Sequence, residues 1–417
     1  MTSVAHEAWF QDPRLTRVFS LLNADGGEGR VVGGAVRNSL MGLDVSDIDM
    51  ATTLTPEAVI ARAKAAGIKA VPTGIAHGTV TLVLDGKPFE VTTLRTDVET
   101  DGRHAKVAFS TDWQVDAERR DLTINALYAN AAGEVIDLVG GLADIETRNI
   151  RFIGDAATRI SEDYLRVLRF FRFFAYYGSG RPDAAGLKAS AAARSKLATL
   201  SAERVWSELR KLLSAKDPGR ALLWMRTVAT LNEILPETEK WGIDAIPGLV
   251  ATEQALGWAP DSLLRLASIV PPDVPRLVAM SARLKLANAE AAWLKTWALA
   301  VPVNDEMSSA AFDRLLYRNA PEGIIARLKL ALAVARSKAE GDMKEMSRAA
   351  RLGKLLDQAE RWQKPKFPLS GGDVMASGIP SGPRVGQLLQ TLEEQWVDEN
   401  FVADRAALLA RLNDITT

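Results

Sequence analysis

The chain has 417 residues, of which 47% are hydrophobic and 25% charged, and its formal net charge is -1. These values are typical of a globular protein of two to four domains, and they exclude a disordered chain. The absence of cysteine excludes disulfides, zinc knuckles and cysteine nucleophiles. Because there are only three histidines, a metal site is expected to use oxygen ligands, which favours magnesium.

Nothing in the sequence indicates a membrane protein. The first residues, MTSVAHEAWFQD, lack the basic and then apolar layout of a signal peptide. No stretch of about 18 apolar residues is free of charge, so no spanning helix is predicted. We therefore expect a cytoplasmic protein with no membrane partner and no obligatory protein partner.

The first 147 residues predict an α+β head, a mixed sheet with flanking helices. A short valine-containing strand leads into Gly33 and Gly34, and the helix that follows ends at Gly42. Residues 47–53 are predicted to form the next strand of the same sheet.

Three further elements complete the predicted head. Residues 55–57, Thr-Pro-Glu, are a helix start, and Gly67 ends that helix. Residues 79–95 contain two β-rich arms around Asp-Gly at 85–86, which predicts a hairpin. The polar stretch 96–112 is interpreted as a mobile loop.

After residue 147 the sequence predicts only helices. Segments rich in Ala, Leu, Arg and Glu alternate with Pro/Gly joints. We divide this part into a helical neck domain, 148–215, and a helical body and tail, 216–417.

Asp47-Ile48-Asp49 is the first pattern that points to chemistry. Side chains alternate along a strand, so Asp47 and Asp49 share one face while Ile48 and Met50 enter the core. Two carboxylates held so close repel each other unless a cation lies between them. The same pattern also occurs as turn or capping aspartates, and these residues alone leave both interpretations open.

The residues around this acidic pair favour a nucleotide site. Gly33 and Gly34 lie at a strand-to-helix turn, where bare N–H groups suit a triphosphate. Arg37, one helical turn further, has a guanidinium group that can form two hydrogen bonds to the same phosphates. Glu90, on a hairpin arm, is a third carboxylate that acts as a base or a metal ligand, or is merely a solvated strand residue.

These residues lie in VGGAVRNSLMGLDVSDIDMATTLTPEAV, which resembles the first motif of class II CCA-adding enzymes and bacterial poly(A) polymerases, in the polymerase-β-like nucleotidyltransferase superfamily. The likeness covers nearly the whole chain, through RRDLTINALY, DLVGGLADIETRNIRFIG, EDYLRVLRFFRF, SAERVWSELRKLL and GGDVMASGIPSGPRVGQLL. Asn38, Leu122 and Ser381 stand where aspartate, phenylalanine and proline are usual. None of these differences affects a metal ligand, and Asn38 removes only the carboxylate of a local salt bridge.

The resemblance implies an RNA nucleotidyltransferase that adds C, C and A to the 3′ end of tRNA without a template. Its substrates would be CTP, ATP and a tRNA that lacks part or all of its CCA end. Asp47 and Asp49 would bind two Mg²⁺ ions. The body and tail would hold the tRNA by its duplex shape, with helices in 204–211 and 327–344 as candidates for backbone contacts.

The resemblance also implies a protein template for the base. A predicted helix carries four polar residues in steps of three, namely Asp163, Arg166, Arg169 and Arg172. Because a helix has 3.6 residues per turn, Asp163 and Arg166 are neighbours, whereas Arg172 lies nearly opposite Asp163. The Asp163 carboxylate would accept from the amino group of cytosine or adenine, and Arg166 would donate to the adjacent ring nitrogen. Uracil and guanine present the reverse pattern and would leave these polar groups unpaired. Without the resemblance, this row of arginines would be a solvated helix face.

The segment RRDLTINALY resembles the second motif of the family, and the resemblance alone implies further nucleotide contacts there. Arg120 would contact the nucleotide, Asp121 would act through the ribose, and Asn125 would form local hydrogen bonds. The polar stretch with Arg103 and His104 resembles the family's flexible loop, which helps the pocket change from C to A.

Three alternatives remain at this point. A poly(A) polymerase uses the same chemistry on another primer but usually has a basic extension, which this chain lacks. A relative that adds only CC or only A is the second. The third is an inactive RNA-binding scaffold, against which the retention of Asp47, Asp49, Asp163 and Arg166 argues.

Overall fold

The structure of the protein is a computed structural model that describes residues 2–101 and 104–416. The chain forms two compact units, Met1–Pro236 and Glu237–Thr417. The first unit contains a mixed sheet with flanking helices followed by further helices, and the second is helical. The predicted fold class is therefore confirmed, whereas the boundaries after residues 147 and 215 stay predictions. In the described part of the chain, no helix has the length and apolar character needed to span a membrane.

The described part of the head contains nine strands and the helices around them. Its strands are β1 (Gly29–Val32), β2 (Asp49–Thr52), β3 (Lys69–Gly74), β4 (Thr79–Leu84), β5 (Lys87–Thr93), β6 (Arg95–Asp101), β7 (His104–Phe109), β8 (Leu127–Ala129) and β9 (Val135–Asp137). Its helices are α1 (Pro13–Leu22), α2 (Gly34–Leu40), α3 (Pro56–Ala65), α4 (Trp113–Glu118) and α5 (Gly141–Thr147).

Seven strands form one sheet in the order β3-β4-β5-β2-β1-β8-β9. Only β2 and β5 run parallel, and the other neighbours are antiparallel. The register places Asp49 of β2 beside Val32 of β1 on one side and beside Glu90 of β5 on the other. Two acidic residues from distant parts of the sequence therefore lie side by side at the centre of the sheet.

The turns and caps of the head follow the sequence closely. Asp85 and Gly86 adopt φ of 49° and 79°, the left-handed pair that a two-residue hairpin turn requires, and the predicted hairpin is confirmed. The Thr55 side chain accepts a hydrogen bond from the N–H of Ala58 and caps α3, while Gly67 follows that helix with a φ of 67°.

The prediction of a loop over residues 96–112 is wrong for most of that stretch. Strands β6 and β7 form a separate two-stranded antiparallel ribbon that pairs Asp101 with His104. Polar composition suggested a loop, but a ribbon is held by backbone hydrogen bonds and does not need an apolar pattern. Arg103 lies outside the described residues, as does Gly102.

Strand β2 begins at Asp49, two residues later than predicted. Asp47 therefore precedes the strand instead of lying in it. The alternation still holds across this junction, because Asp47 and Asp49 are exposed while Ile48 and Met50 are 4% and 1% exposed. The apolar pair fixes the chain at the edge of the core and turns both carboxylates outward.

The helices that follow are all short to medium in length. In the first unit they are α6 (Ala156–Glu162), α7 (Leu165–Tyr177), α8 (Ala184–Ala193), α9 (Ala202–Leu213), α10 (Gly219–Thr227) and α11 (Thr230–Ile234). In the second unit they are α12 (Ala245–Leu256), α13 (Ser262–Ile269), α14 (Val274–Leu284), α15 (Asn288–Leu299), α16 (Ser309–Arg318), α17 (Pro321–Lys338), α18 (Met343–Arg361), α19 (Gly371–Ala376), α20 (Pro383–Asp398) and α21 (Arg405–Thr416).

The second unit contains a fully buried ion pair between α12 and α13. Arg265 is 0% and Glu253 is 2% exposed. The guanidinium of Arg265 donates to both carboxylate oxygens of Glu253, with an Nη2–Oε2 distance of 2.6 Å. Removal of one partner breaks a buried, hydrogen-bonded pair of charges, which is far more costly than the net value of the pair.

We expect Glu253→Ala to lower the free energy of unfolding of the second unit by about 3 to 5 kcal/mol. Urea denaturation followed by circular dichroism measures this loss. Arg318→Ala, which breaks the exposed pair with Asp398, is the control and should leave the transition unchanged. Equal effects of the two substitutions would contradict the buried-charge explanation.

Candidate active site

The turn between β1 and α2 forms one edge of the site. Gly33 has a φ of 73° and a ψ of -115°, a conformation that side chains rarely adopt, and Gly34 begins the helix. The N–H of Gly33 donates to the carbonyl oxygen of Leu127 at 3.0 Å, so the prediction of a bare N–H is wrong at this glycine. The N–H groups of the first turn of α2 have no acceptor within the helix.

Arg37 of α2 is buried beside this turn, with 7% of its surface exposed. Its Nη1 donates to Asn125 Oδ1 at 2.5 Å, and its Nη2 donates to the hydroxyl of Tyr177 at 2.8 Å. Asn38 Oδ1 accepts from Nε and Nη2 at 3.1 and 2.9 Å, so a neutral hydrogen bond replaces the salt bridge that an aspartate would make. Burial lowers the pKa of Arg37 from its ordinary value.

The acidic floor of the site is formed by Asp49, Glu90 and Asp47. Although Asp49 has solvent-exposed surface, the surrounding protein partly desolvates its carboxyl, and this desolvation, followed by the neighbouring charges of Glu90 and Asp47, raises its pKa. Asp47 is exposed, and its Oδ2 accepts from Ser46 Oγ at 2.9 Å. The three carboxylates thus concentrate negative charge, the condition under which a cation binds well.

Two arginines of the second motif are held by one buried acid. Asp116 of α4 is 1% exposed, and its two oxygens lie 2.6 Å from Arg119 Nη2 and 3.0 Å from Arg120 Nη2. The hydroxyl of Tyr128 donates to the same carboxylate at 2.8 Å. Burial opposes ionisation, but the charges of Arg120 and Arg119 outweigh it, so the pKa of Asp116 lies below its ordinary value.

Asp121 links the head to α7. Its Oδ2 accepts from Arg169 Nε at 2.7 Å, while its Oδ1 accepts from the N–H of Leu122 and from Asn125 Nδ2. Burial acts against the charged form, yet Arg169 and these hydrogen bonds hold the pKa of Asp121 below its usual range. Arg169 and Asp121 are therefore fixed by each other before any ligand binds.

The predicted helix through Asp163 is interrupted there. Helix α6 ends at Glu162 and α7 begins at Leu165, and Asp163 between them is extended with φ of -156° and ψ of 107°. Its Oδ1 accepts from the N–H of Leu165 at 3.1 Å, a local bond that competes with a continuous helix. The prediction that Asp163 lies in one continuous helix with Arg166 is therefore wrong.

Asp163 and Arg166 are each held by another partner. Arg204 of α9 donates to Asp163 Oδ2 at 2.5 Å. Arg166 forms an ion pair with Glu162 and donates to the carbonyl oxygen of Arg159 at 2.8 Å. Both side chains are fixed in place, so their orientation does not depend on a bound base.

These groups surround an open cavity of about 570 Å³ in the first unit. All the predicted site residues line it except Asp47 and Arg172. Arg172 forms an ion pair with Glu208 at 2.6 Å instead. The lining consists of Val32, Gly33, Gly34, Arg37, Asp49, Met50, Glu90, Thr92, Arg119, Arg120, Asp121, Asn125, Asp163, Leu165, Arg166, Arg169, Phe173 and Arg204.

Sequence reasoning missed several residues that build this site. Asp116, Tyr177 and Glu208 hold arginines, and Arg119 and Arg204 line the cavity. Arg119 precedes Arg120 in the same motif and could have been included. Asp116 lies three residues before Arg119 and is also a local partner. Tyr177, Glu208 and Arg204 have no local signal, because the residues that they contact are 140, 36 and 41 positions away in the sequence.

Two family models match separate parts of the chain. Residues 29–151 match the poly A polymerase head domain, and residues 183–241 match a model described as the probable RNA and SrmB-binding site of polymerase A. The first of these contains the glycine turn, the acidic floor and the second motif.

Relatives are similar over nearly the whole chain. The mitochondrial CCA tRNA nucleotidyltransferase 1 of Mus musculus is 35% identical over 405 residues, 95% of this chain and 88% of the mouse protein. The corresponding Homo sapiens protein is 36% identical over 91% of this chain and 85% of the human protein. The crystal structure of the Bacillus stearothermophilus CCA-adding enzyme in complex with CTP superimposes with a TM-score of 0.75 at 26% identity, covering 97% of each chain.

The shared sequence thus extends well beyond the head and includes both units of the chain. This chain belongs to the CCA tRNA nucleotidyltransferases, the CCA-adding enzymes of the polymerase-β-like nucleotidyltransferase superfamily.

Proposed function

We propose that this protein adds C, C and A to the 3′ end of tRNA, with CTP and ATP as the donors and pyrophosphate as the product. One observation carries the proposal. A single cavity brings Asp49 and Glu90 of the acidic floor together with the Asp163 and Arg166 side chains that follow them in the sequence. One wall suits the reacting phosphate and the other suits the base, as template-independent addition requires.

The acidic floor fits divalent cations bound through oxygen. Asp47 and Asp49 are proposed as the ligands, and Glu90 as a base or an additional ligand. Among the described residues, no group of three or more His, Asp or Glu side chains is arranged to hold a metal on its own. Such a site suits Mg²⁺, which usually takes one or two carboxylates and completes its shell with water and substrate phosphates. Bound Mg²⁺ would lower the pKa of the tRNA 3′-hydroxyl and neutralise charge on the leaving pyrophosphate.

The residues around the glycine turn are proposed to bind the triphosphate. Arg37 is already oriented by Asn125 and Tyr177, so little side-chain entropy is lost when phosphate binds. Arg120, held by Asp116, is proposed to contact the same nucleotide. In-line attack on the α-phosphorus then depends on how these fixed groups align the phosphate chain.

Asp163 and Arg166 are proposed to select the base. A carboxylate accepts from the amino group that cytosine and adenine share, and a guanidinium donates to the adjacent ring nitrogen. Uracil and guanine present the reverse pattern and would leave buried polar groups unpaired. The hydrogen bonds from Arg204 to Asp163 and from Arg166 to Glu162 support this role, because they keep both groups rigid.

Arg169 is proposed to extend these contacts to the base, sugar or phosphate, and Asp121 to act through the ribose. A nucleotide contact for Arg172 stays a prediction, and its pair with Glu208 supports a role in holding α7 against α9. A tRNA without its complete CCA end is the proposed RNA partner, and a cytoplasmic location also stays a prediction.

Purified protein with Mg²⁺ should add C, C and A to a tRNA trimmed of its 3′ end and then stop. Incorporation assays with each of the four radiolabelled triphosphates, alone and combined, measure this. Unlimited addition of A to any RNA would instead favour a poly(A) polymerase. Addition that stops after CC, or that requires CC, would identify a partial enzyme.

Asp49→Ala should lower incorporation by at least 1000-fold, because it removes a carboxylate from the acidic floor. Binding of tRNA, measured by filter retention, should change less than twofold. Glu57→Ala, which alters an exposed carboxylate of α3, is the control and should retain full activity. If Asp49→Ala instead fails to fold, this carboxylate is structural.

Asp163→Ala and Arg166→Ala should relax base choice before they slow the chemistry. The preference for CTP over UTP should fall by roughly 100-fold, since the wrong base no longer leaves a buried group unpaired. The ratio of kcat/KM values for the two triphosphates measures the effect. Arg194→Ala, at an exposed arginine before α9, serves as the control. An equal loss of rate with all four triphosphates would argue against a template role.

A further inference from the structure

Six arginines line the cavity, and five of them form ion pairs with carboxylates. The pairs join Arg119 and Arg120 to Asp116, Arg166 to Glu162, Arg169 to Asp121 and Arg204 to Asp163. Arg37 is the exception, because no carboxylate of the described residues lies within ion-pair distance of it. The charge of Arg37 is therefore the one in this lining that no carboxylate contacts directly, although Asp121, hydrogen-bonded to the far side of Asn125, still acts on it electrostatically.

The partners of Arg37 are all uncharged. They are Asn38 Oδ1, Asn125 Oδ1 and the hydroxyl of Tyr177, and the guanidinium also lies over the Tyr177 ring, 4.2 Å from its centroid. These contacts orient the side chain and account for four of its five N–H groups without cancelling its charge. A buried cation held in this way has a strong electrostatic preference for an incoming anion.

Asn38 is the partner that fixes this arrangement. Its Nδ2 donates to the carbonyl oxygen of Asp44 at 2.8 Å, which directs its Oδ1 towards Arg37. The carbonyl oxygen of Asn38 also accepts from the N–H of Leu43 at 2.8 Å. Asn38 thus ties the arginine to the connection between α2 and β2, which carries Asp47.

An aspartate at this position would have nearly the same shape and the opposite effect. Its carboxylate would neutralise Arg37, and one of its oxygens would face the carbonyl oxygen of Asp44 where an N–H donates now. Only an amide satisfies both neighbours and leaves the charge of Arg37 available.

We propose that Asn38 is a positioning residue that sets the affinity of the site for the triphosphate, because its neutral amide orients Arg37 without cancelling its charge. This inference rests on the proposed function of the site. It assigns to the amide of Asn38 a control over binding of the phosphate chain that is independent of base choice.

The test uses the full-length protein and inorganic tripolyphosphate, which has the phosphate chain but no base or sugar. Asn38→Asp should weaken tripolyphosphate binding, measured by isothermal titration calorimetry, by roughly tenfold. Asn38→Ala, which removes the same hydrogen bonds but adds no charge, should weaken it less than threefold. The loss in Asn38→Asp should shrink as the salt concentration rises, which a purely structural defect would not produce.

In the nucleotidyl transfer assay, Asn38→Asp should raise the KM for CTP and for ATP by similar factors, with a smaller change in kcat. Discrimination against UTP and GTP should be unchanged, because Asp163 and Arg166 are untouched. Asn23→Asp is the matched control, since it changes the net charge equally at an exposed position. The Oδ1 of Asn23 accepts from the N–H of Gly29 at 2.7 Å, a bond that an aspartate can keep.

Equal tripolyphosphate affinities of Asn38→Asp and the unmodified protein would overturn the inference, as would equal losses in Asn38→Asp and Asn38→Ala. If thermal unfolding shows that Asn38→Asp does not fold, Asn38→Ala decides by comparison with Arg37→Gln. A loss in Asn38→Ala as large as that in Arg37→Gln contradicts the inference, as does no loss at all, and a measurable but clearly smaller loss supports it. If the unmodified protein incorporates no nucleotide while tripolyphosphate binding still depends on Asn38 as described, the proposed function fails and this inference stands.

Discussion

The site depends on the pairing of arginines with carboxylates around one open cavity. Several guanidinium groups within a few ångströms repel each other and would point into solvent if they were free. The acids that hold them are buried or half-buried, so each arginine has a defined position before a ligand arrives. This order reduces the entropy that binding would otherwise cost, and it keeps the donors directed at a small volume.

The sheet imposes the opposite condition on its own acids. Parallel pairing of β2 with β5 places Asp49 directly beside Glu90, and Asp47 lies just before the strand. These carboxylates have no arginine within ion-pair distance among the described residues, and desolvation and the neighbouring charges raise the pKa of Asp49. The cavity is therefore lined by arginines that are mostly paired with acids and by two acids, Asp49 and Glu90, that have no arginine partner. Such polarity suits a substrate that brings phosphate groups together with its own divalent cations.

Arg37 lines the same cavity as these arginines and acids. Its partners are neutral, so it differs from the other arginines of the lining in the charge that it presents and not in how well it is held. The contrast shows that orientation and neutralisation are separate properties of a side chain. A carboxylate partner supplies both, whereas an amide or a phenol supplies only the first.

Much of the architecture and most of the cavity lining followed from the sequence alone. Local signals were sufficient for the hairpin at Asp85 and Gly86, the cap at Thr55 and the outward turn of Asp47 and Asp49, because each rests on neighbouring residues. The resemblance of several motifs in order indicated the family, which the comparisons then showed.

Only the tertiary structure decided which acid holds which arginine. Asp116 with Arg120 is a local pair, but Tyr177 with Arg37 and Arg204 with Asp163 join residues 140 and 41 positions apart. No periodicity encodes such pairs, because they form only when separate helices pack against the head. The break before α7 also escaped the sequence pattern, since the Asp163 side chain takes a backbone N–H that a continuous helix would use. The sequence determined the elements and the chemistry they carry, and packing determined which partner each group contacts.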